Sequence, residues 1–255
     1  MIARFASAIY RRRNPGQRFW VDDAGRWMNE LPHATIVSPV AHTLGDDALT
    51  ANAMDNWCYG TIPQAGDTVI DVGAGIGEET IVFSRMVGPS GRVIAVEAHP
   101  ETYRCLEETV RRSGLTNVTT VPVAAGAEEG VGEIGAGANY LANSIVSGSA
   151  TGGASVTMTT LDALSERLGL GEVKLLKMNI EGAETAAIAG MAKLARRTAN
   201  VVISCHDFVA DRGGGAQFRT RDECRRLLEA QGYVLTQRDG HPHAWVRDYL
   251  YGTKA

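Results

Sequence analysis

A short stretch of strand, glycines and helix start constrains this chain more than any other part of its sequence. Residues 68–79 read T-V-I-D-V-G-A-G-I-G-E-E, and the β-branched run at the start is typical of a strand buried on both faces. Gly73, Gly75 and Gly77 follow at alternate positions, and apolar residues at helical spacing come after Glu78. A strand, a glycine turn and a helix N-terminus together predict a site where a ligand lies against bare backbone.

The spacing of these glycines favours one class of ligand. The pattern is G-x-G-x-G, so Glu78 stands where the dinucleotide-binding pattern G-x-G-x-x-G has its third glycine. A carboxylate at that position repels a pyrophosphate but tolerates a cation. The sequence therefore favours S-adenosylmethionine, whose sulfonium is positively charged, over NAD or FAD.

The order of predicted strands and helices after Gly66 indicates an α/β fold. Strands are predicted over 92–97, 117–123, 173–180 and 200–205, and a helix is predicted in each interval between them. This alternation predicts a doubly wound, mostly parallel sheet. The last two predicted strands, over 233–238 and 244–251, form a terminal hairpin and add an antiparallel edge strand.

The first 60 residues lack this rhythm, so we divide the chain into an N-terminal segment (1–60) and a main domain (61–255). A hairpin is predicted around residues 22–25, and a helix over 46–59. Three of the four tryptophans lie in this segment, which is interpreted either as a cap packed on the edge of the domain or as a lid over a substrate pocket. Residues 2–13 predict a short amphipathic helix that serves as a packing element or as the contact of a homodimer.

Composition excludes several classes of protein. The net charge of -4 argues against nucleic acid as a partner, and no apolar run approaches the length that crosses a membrane. Four widely separated cysteines without a C-x-x-C pair predict reduced thiols and a cytoplasmic location.

Residues 132–153 are rich in Gly, Ala and Ser and predict a mobile loop, which is either functional or disordered. Its sizeable polar groups are Tyr140, Asn143 and Ser144.

Two carboxylates accompany the glycine turn. Glu97 ends the second predicted strand, 20 residues past Gly77, where it can accept hydrogen bonds from both hydroxyls of a ribose. Asp71 is the last carboxylate before the turn; it orients the loop amides, accepts from a ligand ammonium, or has a purely structural role. Residues near Val123 and Ala124 offer backbone groups to an adenine.

Polar residues also follow the fourth and fifth predicted strands, whose carboxyl ends line the ligand crevice of such sheets. Asn179 and Glu181 lie at the end of one, and His206 and Asp207 at the end of the next. His206 is the first candidate for a general base, because its unperturbed pKa lies near neutrality, and Glu181 is the second. The same four residues make Mg²⁺ a secondary candidate cofactor, although their spacing matches no dedicated metal motif and no metal ligand is assigned.

Four blocks in order make a family resemblance specific: D-V-G-A-G-I-G-E-E-T, V-I-A-V-E-A-H-P-E-T-Y, V-T-M-T-T-L-D-A-L and L-K-M-N-I-E-G-A-E. Over residues 66–191 the chain resembles the FkbM-type methyltransferases, which are class I S-adenosylmethionine-dependent enzymes. The resemblance implies a seven-stranded, Rossmann-like sheet and O-methylation of a hydroxyl on a sugar, polyketide or other small natural product. The resemblance implies cofactor contacts at Gly73, Gly75, Gly77 and Glu97. The full set of expected cofactor-binding residues is Asp71, Gly73, Ala74, Gly75, Gly77, Glu78, Glu97, Ala98 and Ala124.

The chain departs from that family in two places. Asn179, a candidate catalytic residue, replaces the Asp common in the family, and no acidic residue follows the third predicted strand to hold the adenine amine. Two alternatives stay open: an NAD(P)-dependent oxidoreductase on a similar sheet, and an S-adenosylmethionine-binding protein without catalysis. A nucleic-acid methyltransferase is disfavoured because the chain lacks an N-P-P-Y-type motif.

Overall fold

The structure is a computed structural model that describes Tyr10, Asn14, residues 16–135, the backbone of residues 145–146, and residues 153–254. The amphipathic helix predicted over 2–13 and most of the glycine-rich loop predicted over 132–153, including Tyr140, Asn143 and Ser144, lie outside the described residues. Those two predictions therefore stay predictions.

The strands are β1 (Arg18–Val21), β2 (Trp27–Glu30), β3 (Thr35–Ser38), β4 (Thr68–Val72), β5 (Arg92–Val96), β6 (Val118–Val121), β7 (Ala124–Ala125), β8 (Gly130–Ile134), β9 (Ile145–Val146), β10 (Ala154–Thr159), β11 (Val173–Met178), β12 (Thr198–Ser204), β13 (Tyr233–Thr236) and β14 (Tyr249–Lys254). The α-helices are α1 (Asp46–Asn52), α2 (Glu78–Val87), α3 (Pro100–Arg112), α4 (Leu161–Arg167), α5 (Glu184–Ala189), α6 (Asp207–Asp211), α7 (Arg221–Ala230) and α8 (Ala244–Arg247). A π-helical turn over Ala53–Trp57 extends α1, and 3₁₀ turns span Leu194–Arg197 and Ala216–Phe218.

The centre of the fold is a seven-stranded sheet in the order β13-β14-β12-β11-β4-β5-β6. Strands β12, β11, β4, β5 and β6 run parallel, whereas β14 is antiparallel to both of its neighbours. The predicted doubly wound, mostly parallel seven-stranded sheet with an antiparallel C-terminal strand is confirmed.

Successive residues of the central strands belong to different hydrophobic clusters, which shows that both faces of the sheet are covered. Val69 packs with Phe83 of α2 and with Trp57, whereas Ile70 packs with Leu164 of α4. Such strands lose water from both faces, so they read as continuous apolar runs in the sequence. The crossovers place the carboxyl ends of β4, β5 and β11 at one edge of the sheet, where the polar residues collect.

The N-terminal segment forms a separate three-stranded antiparallel sheet in the order β1-β2-β3, and the predicted hairpin around residues 22–25 is confirmed. This sheet packs on α3, because the Val37 amide donates to Thr109 Oγ1 at 2.9 Å and the Thr35 amide donates to Ser113 Oγ at 2.9 Å. The helix predicted over 46–59 is also present, as α1 and the π-helical turn that follows.

Two parts of the described chain differ from the prediction. A small sheet in the order β7-β10-β8-β9 lies between the third and fourth predicted strands and was not predicted. The strand predicted over 244–251 is wrong in its first half, because Ala244–Arg247 is helical and the strand begins at Tyr249. The apolar blocks A-W-V and Y-L-Y in A-W-V-R-D-Y-L-Y imitate one strand, but in the first block only Val246 turns into the core, while Trp245 is 39% exposed.

The described helices include none with the length and apolar character needed to cross a membrane. All four cysteines are buried and none forms a disulfide.

Candidate active site

Two adjoining cavities open at the carboxyl edge of the central sheet. The first, of about 860 Å³ including space open to solvent, is lined by the glycine turn and by the ends of β4, β5 and β11. The second, of about 1170 Å³ on the same measure, is lined by segments of the N-terminal region and by residues that follow β12 and precede β14. Four residues line both cavities and therefore separate them: Glu78, Glu79, Asn179 and Glu181.

Most residues that the sequence predicts for a cofactor line the first cavity. They are Gly73, Ala74, Gly75, Glu78, Glu97, Ala98 and Ala124. Asp71 and Gly77 are not among its lining residues. The predicted catalytic residues Asn179 and Glu181 line both cavities, whereas His206 lines the second alone.

The three glycines of the turn have different physical roles, although all three have positive φ. A Cβ at Gly73 would stand 1.9 Å from the Asn179 carbonyl oxygen, so this glycine permits the turn to touch the end of β11. A Cβ at Gly77 would stand 3.0 Å from Leu106, so that glycine permits α2 to pack on α3. A Cβ at Gly75 would meet nothing within 4 Å, and Gly75 alone leaves open space toward the first cavity.

Glu97 is held at the end of β5 by backbone donors on both of its oxygens. The Gly75 amide donates to Oε2 at 3.0 Å, and the His99 amide donates to Oε1 at 2.8 Å. Burial raises the pKa of Glu97 to about 7, against the lowering effect of these two hydrogen bonds. The carboxyl is therefore fixed in orientation between the glycine turn and the start of α3, and its pKa lies close to neutral pH.

A buried ion pair supports the glycine turn from beneath, and sequence reasoning missed its lysine. Lys177 Nζ lies 2.8 Å from Asp71 Oδ1 and donates to the Gly73 carbonyl oxygen at 2.7 Å, while Thr80 Oγ1 donates to Asp71 Oδ2 at 2.6 Å. Burial lowers the pKa of Lys177, but the negative charges of Asp71 and Glu79 outweigh burial and raise it. Of the three roles predicted for Asp71, this geometry supports the structural one, because Asp71 holds Lys177 and Thr80 and does not line the first cavity.

Glu79, on the first turn of α2, is a second residue that sequence reasoning missed. Trp57 Nε1 donates to Glu79 Oε1 at 3.3 Å, and the Trp57 ring lies 5.0 Å from Lys177 Nζ. Burial raises the pKa of Glu79 to about 7, against the lowering effect of the Lys177 charge. The wall between the two cavities therefore carries a carboxyl that can gain or lose a proton near neutral pH.

His206 lies between two carboxylates, which changes the role that the sequence predicts for it. Its Nδ1 is 2.9 Å from Glu184 Oε1, and its Nε2 is 3.2 Å from Glu181 Oε1. Burial lowers the pKa of His206, but the hydrogen bonds to Glu181 and Glu184 outweigh burial and raise it to about 10. An imidazole that is already protonated at neutral pH has no lone pair with which to accept a proton, so this geometry does not support His206 as the general base.

Segments distant in sequence build the second cavity. His42, from the loop between β3 and α1, pairs with Glu78 through Nε2 and Oε1 at 2.7 Å. Trp57 comes from the π-helical turn, and Phe208 and Trp245 come from the regions after β12 and before β14. The described part of the N-terminal segment therefore packs on the edge of the domain and lines a cavity, while its role as a lid stays a prediction.

Three of the four candidate magnesium ligands, Glu181, His206 and Asp207, contact protein partners. Asp207 Oδ2 accepts from the amides of Thr220 and Arg221 at the start of α7, at 3.2 and 3.0 Å, and so supports that helix. Both ring nitrogens of His206 face carboxylates. Among the residues that the structure describes, no group of three or more His, Cys, Asp or Glu side chains is placed to hold a metal ion.

Comparison with known families gives one match over most of the main domain. The family profile described as the methyltransferase FkbM domain matches residues 71–235. Among curated proteins, the protein-L-isoaspartate O-methyltransferase of Aeropyrum pernix is 39% identical over 66 residues, which are 26% of this chain and 25% of that protein. The corresponding enzyme of Methanococcus aeolicus is 38% identical over 56 residues, or 22% of this chain and 26% of that protein. The chain thus spans about a quarter of the length of these curated relatives.

Solved structures share the fold at low sequence identity. The crystal structure of methyltransferase FkbM from Methylobacillus flagellatus KT has a TM-score of 0.52 at 18% identity and covers 73% of this chain and 43% of that one. Aeropyrum pernix fibrillarin, in complex with natively bound S-adenosyl-L-methionine, has a TM-score of 0.51 at 15% identity and covers 93% of this chain and 94% of that one. These similarities show a class I, Rossmann-like methyltransferase fold.

Proposed function

Because the chain belongs to the FkbM methyltransferase family, we propose that it transfers a methyl group from S-adenosylmethionine, held in the first cavity, to an acceptor held in the second. The observation that carries this proposal is the shared wall of Glu78, Glu79, Asn179 and Glu181. A methyl group presented from one side of that wall reaches an acceptor on the other side without movement of the sheet.

The first cavity fits an adenosyl cofactor on its own chemistry. The open space beside Gly75 admits a ligand against bare backbone, and Glu97 is a fixed carboxylate of the kind that binds ribose hydroxyls. Glu78 and Glu79 place carboxylates beside the turn, where they attract the cationic end of this cofactor and oppose a pyrophosphate. Fibrillarin, which has the same fold, binds S-adenosyl-L-methionine, and this supports the assignment.

The proposed acceptor is a small molecule with a hydroxyl group, on a sugar, polyketide or similar natural product. The cofactor supplies an activated methyl group on a good leaving group, and the protein aligns the acceptor and excludes water. Trp57, Phe208 and Trp245 give the second cavity aromatic walls, while Asn52 and Asn56 offer amide groups to a polar acceptor. A cytoplasmic location and a homodimer through the N-terminal residues stay predictions.

Calorimetry with S-adenosylhomocysteine and, separately, with NADH tests the cofactor assignment. We expect micromolar binding of S-adenosylhomocysteine and no binding of NADH. Glu97→Ala should weaken S-adenosylhomocysteine binding at least about tenfold, because each hydrogen bond to a charged group contributes about 1.5–3 kcal/mol. Glu101→Ala, which removes an exposed carboxylate from α3, is the matched control. Binding of NADH in place of S-adenosylhomocysteine would replace this proposal with an oxidoreductase.

A further inference from the structure

Glu181 has a backbone conformation that the rest of the described chain reserves for glycine. Its φ is +52°, and it is the one non-glycine residue with positive φ among those that the structure describes. For a residue with a Cβ this conformation costs about 1–2 kcal/mol, and it persists only where the surroundings impose it. Because glycine would fit here without strain, the carboxylate at position 181 calls for an explanation other than folding.

Two buried residues, His206 and Glu184, contact Glu181 and the backbone beside it. Glu184 is fully buried. Its Oε1 lies 2.9 Å from His206 Nδ1 and accepts from the Gly182 amide at 3.1 Å. This one oxygen therefore contacts both the imidazole and the backbone beside Glu181. The other nitrogen of His206 then faces Glu181 Oε1 at 3.2 Å. The chain Glu184–His206–Glu181 runs from the core to the cavity wall.

The exposure of the three side chains increases along this chain. The Glu184 side chain is 0% exposed, that of His206 is 4% exposed, and that of Glu181 is 21% exposed. Glu181 also lines both cavities. Of the three groups, Glu181 is thus the one that can touch both an acceptor and a methyl donor.

We propose that Glu181 is the catalytic residue, which binds the acceptor hydroxyl and takes its proton; this inference rests on the proposed function. His206 and Glu184 are then positioning residues that hold Glu181 in its strained conformation. His206 keeps its own proton throughout, and Glu181 gains the acceptor proton. The acceptor oxygen bonds to the methyl carbon, the sulfur departs with the electron pair of the broken carbon–sulfur bond, and the proton goes to the Glu181 carboxylate.

The neighbouring titratable groups on the cavity wall have other partners. Glu78 pairs with His42 and Glu79 accepts from Trp57 Nε1, while Tyr249 lines the second cavity from β14. Burial raises the pKa of Tyr249, so its phenol stays neutral. Asp207, next to His206 in the chain, is engaged by the amides at the start of α7.

The first test needs no acceptor and compares Glu181→Gly with Glu181→Gln. Both variants lose the charged contact to His206, but only Glu181→Gly relieves the backbone strain. The thermal unfolding midpoint of Glu181→Gly should therefore lie a few degrees above that of Glu181→Gln. Binding of S-adenosylhomocysteine to the wild-type protein tests the cofactor assignment separately from this proposal. A midpoint for Glu181→Gly at or below that of Glu181→Gln would show that no strain is relieved at position 181, and would overturn the proposal.

The second test reads the charge of His206 directly, by NMR of ¹⁵N-histidine-labelled protein from pH 6 to pH 10. We expect an imidazolium signal for His206 that persists above pH 8 in the wild-type protein. Glu184→Gln should shift the titration midpoint down by more than one pH unit, whereas Glu172→Gln, an exposed carboxylate outside both cavities, should not change it. A wild-type His206 that titrates near pH 6.5 would contradict a charged positioning residue.

The catalytic part is tested by tritiated methyl transfer from S-adenosylmethionine to a panel of methyl glycosides and hydroxylated macrolactones. For any acceptor that the wild type methylates, Glu181→Gln and Glu181→Gly should lower kcat at least about 100-fold. Glu184→Gln should lower kcat about tenfold with little change in KM, and Glu184→Asp should recover part of the loss. Turnover by Glu181→Gly at the wild-type rate would overturn the proposal; where the panel gives no turnover, the two tests above decide it.

Discussion

The two cavities differ in the way in which the chain builds them. The first is assembled from the ends of neighbouring parallel strands and the turn that follows β4, so the fold itself creates it. The second combines residues from 41–44 and 52–57 with the ends of β12 and β14 and with residues 206, 208 and 245, which lie outside the strands. The first cavity therefore follows from the sheet topology, whereas the second also needs segments that lie outside the central sheet.

The largest expected effect comes from substitutions in the glycine turn, which lines the first cavity. Gly73→Ala places a Cβ 1.9 Å from the Asn179 carbonyl oxygen, and we expect this variant to be unfolded or insoluble. Gly75→Ala meets no atom within 4 Å and should fold, at a cost of about 1–2 kcal/mol for its positive φ. It should weaken S-adenosylhomocysteine binding at least tenfold by filling the open space. Circular dichroism and calorimetry measure the two effects, and equal behaviour of the two variants would contradict separate roles for the glycines.

The second largest effect is expected on removal of the buried Lys177–Asp71 ion pair, which supports the same turn. Lys177→Met leaves Asp71 as an uncompensated buried charge and frees the Gly73 carbonyl, so we expect a loss of about 3–5 kcal/mol in the free energy of unfolding. The double variant Lys177→Met/Asp71→Asn removes that charge and should recover part of the loss. Urea denaturation of both variants measures this. A single variant as stable as wild type would show that the ion pair does not hold the turn.

A smaller effect concerns the charged histidine at the junction of the cavities. The folded-state pKa of His206, about 10, exceeds the usual 6.5, so its contribution to stability is fully present below pH 6.5 and is lost as the pH rises through 10. We expect the stability difference between wild type and the double variant His206→Gln/Glu184→Gln to shrink by about 4 kcal/mol between pH 6.5 and pH 10. Urea denaturation across this range measures the difference; a difference independent of pH would mean that His206 is neutral in the folded protein.

The smallest effect tests whether the second cavity is independent of the first. Trp245 is 39% exposed and its ring stacks on His243 at a centroid distance of 4.4 Å. Trp245→Ala should therefore cost less than about 1 kcal/mol of stability. It should also change S-adenosylhomocysteine affinity by less than twofold, because Trp245 does not line the first cavity. Calorimetry checks the affinity, and a tenfold loss would show that the two cavities are coupled.

The part of the site that could be predicted from sequence is the part that depends on local pattern and topology. The glycine turn, Glu97 at the end of β5 and the meeting of Asn179 with Glu181 all follow from the rule that ligands bind at the carboxyl ends of parallel strands. Lys177 was missed although it left a signal, a cation within the apolar run V-K-L-L-K-M in register with Asp71 on the next strand. Glu184 left no signal, because nothing in the sequence shows that it meets His206 from 22 positions away.

The sequence by itself determined the alternation of strands and helices, the antiparallel end of the sheet and the position of the glycine turn, since β-branched runs and glycine spacing act over a few residues. Only the tertiary structure decided the charge of His206, the strain at Glu181 and the placement of Trp245 at a cavity. The physical reason is that a proton affinity depends on burial and on charges from other elements. Those neighbours exist only after the chain has folded.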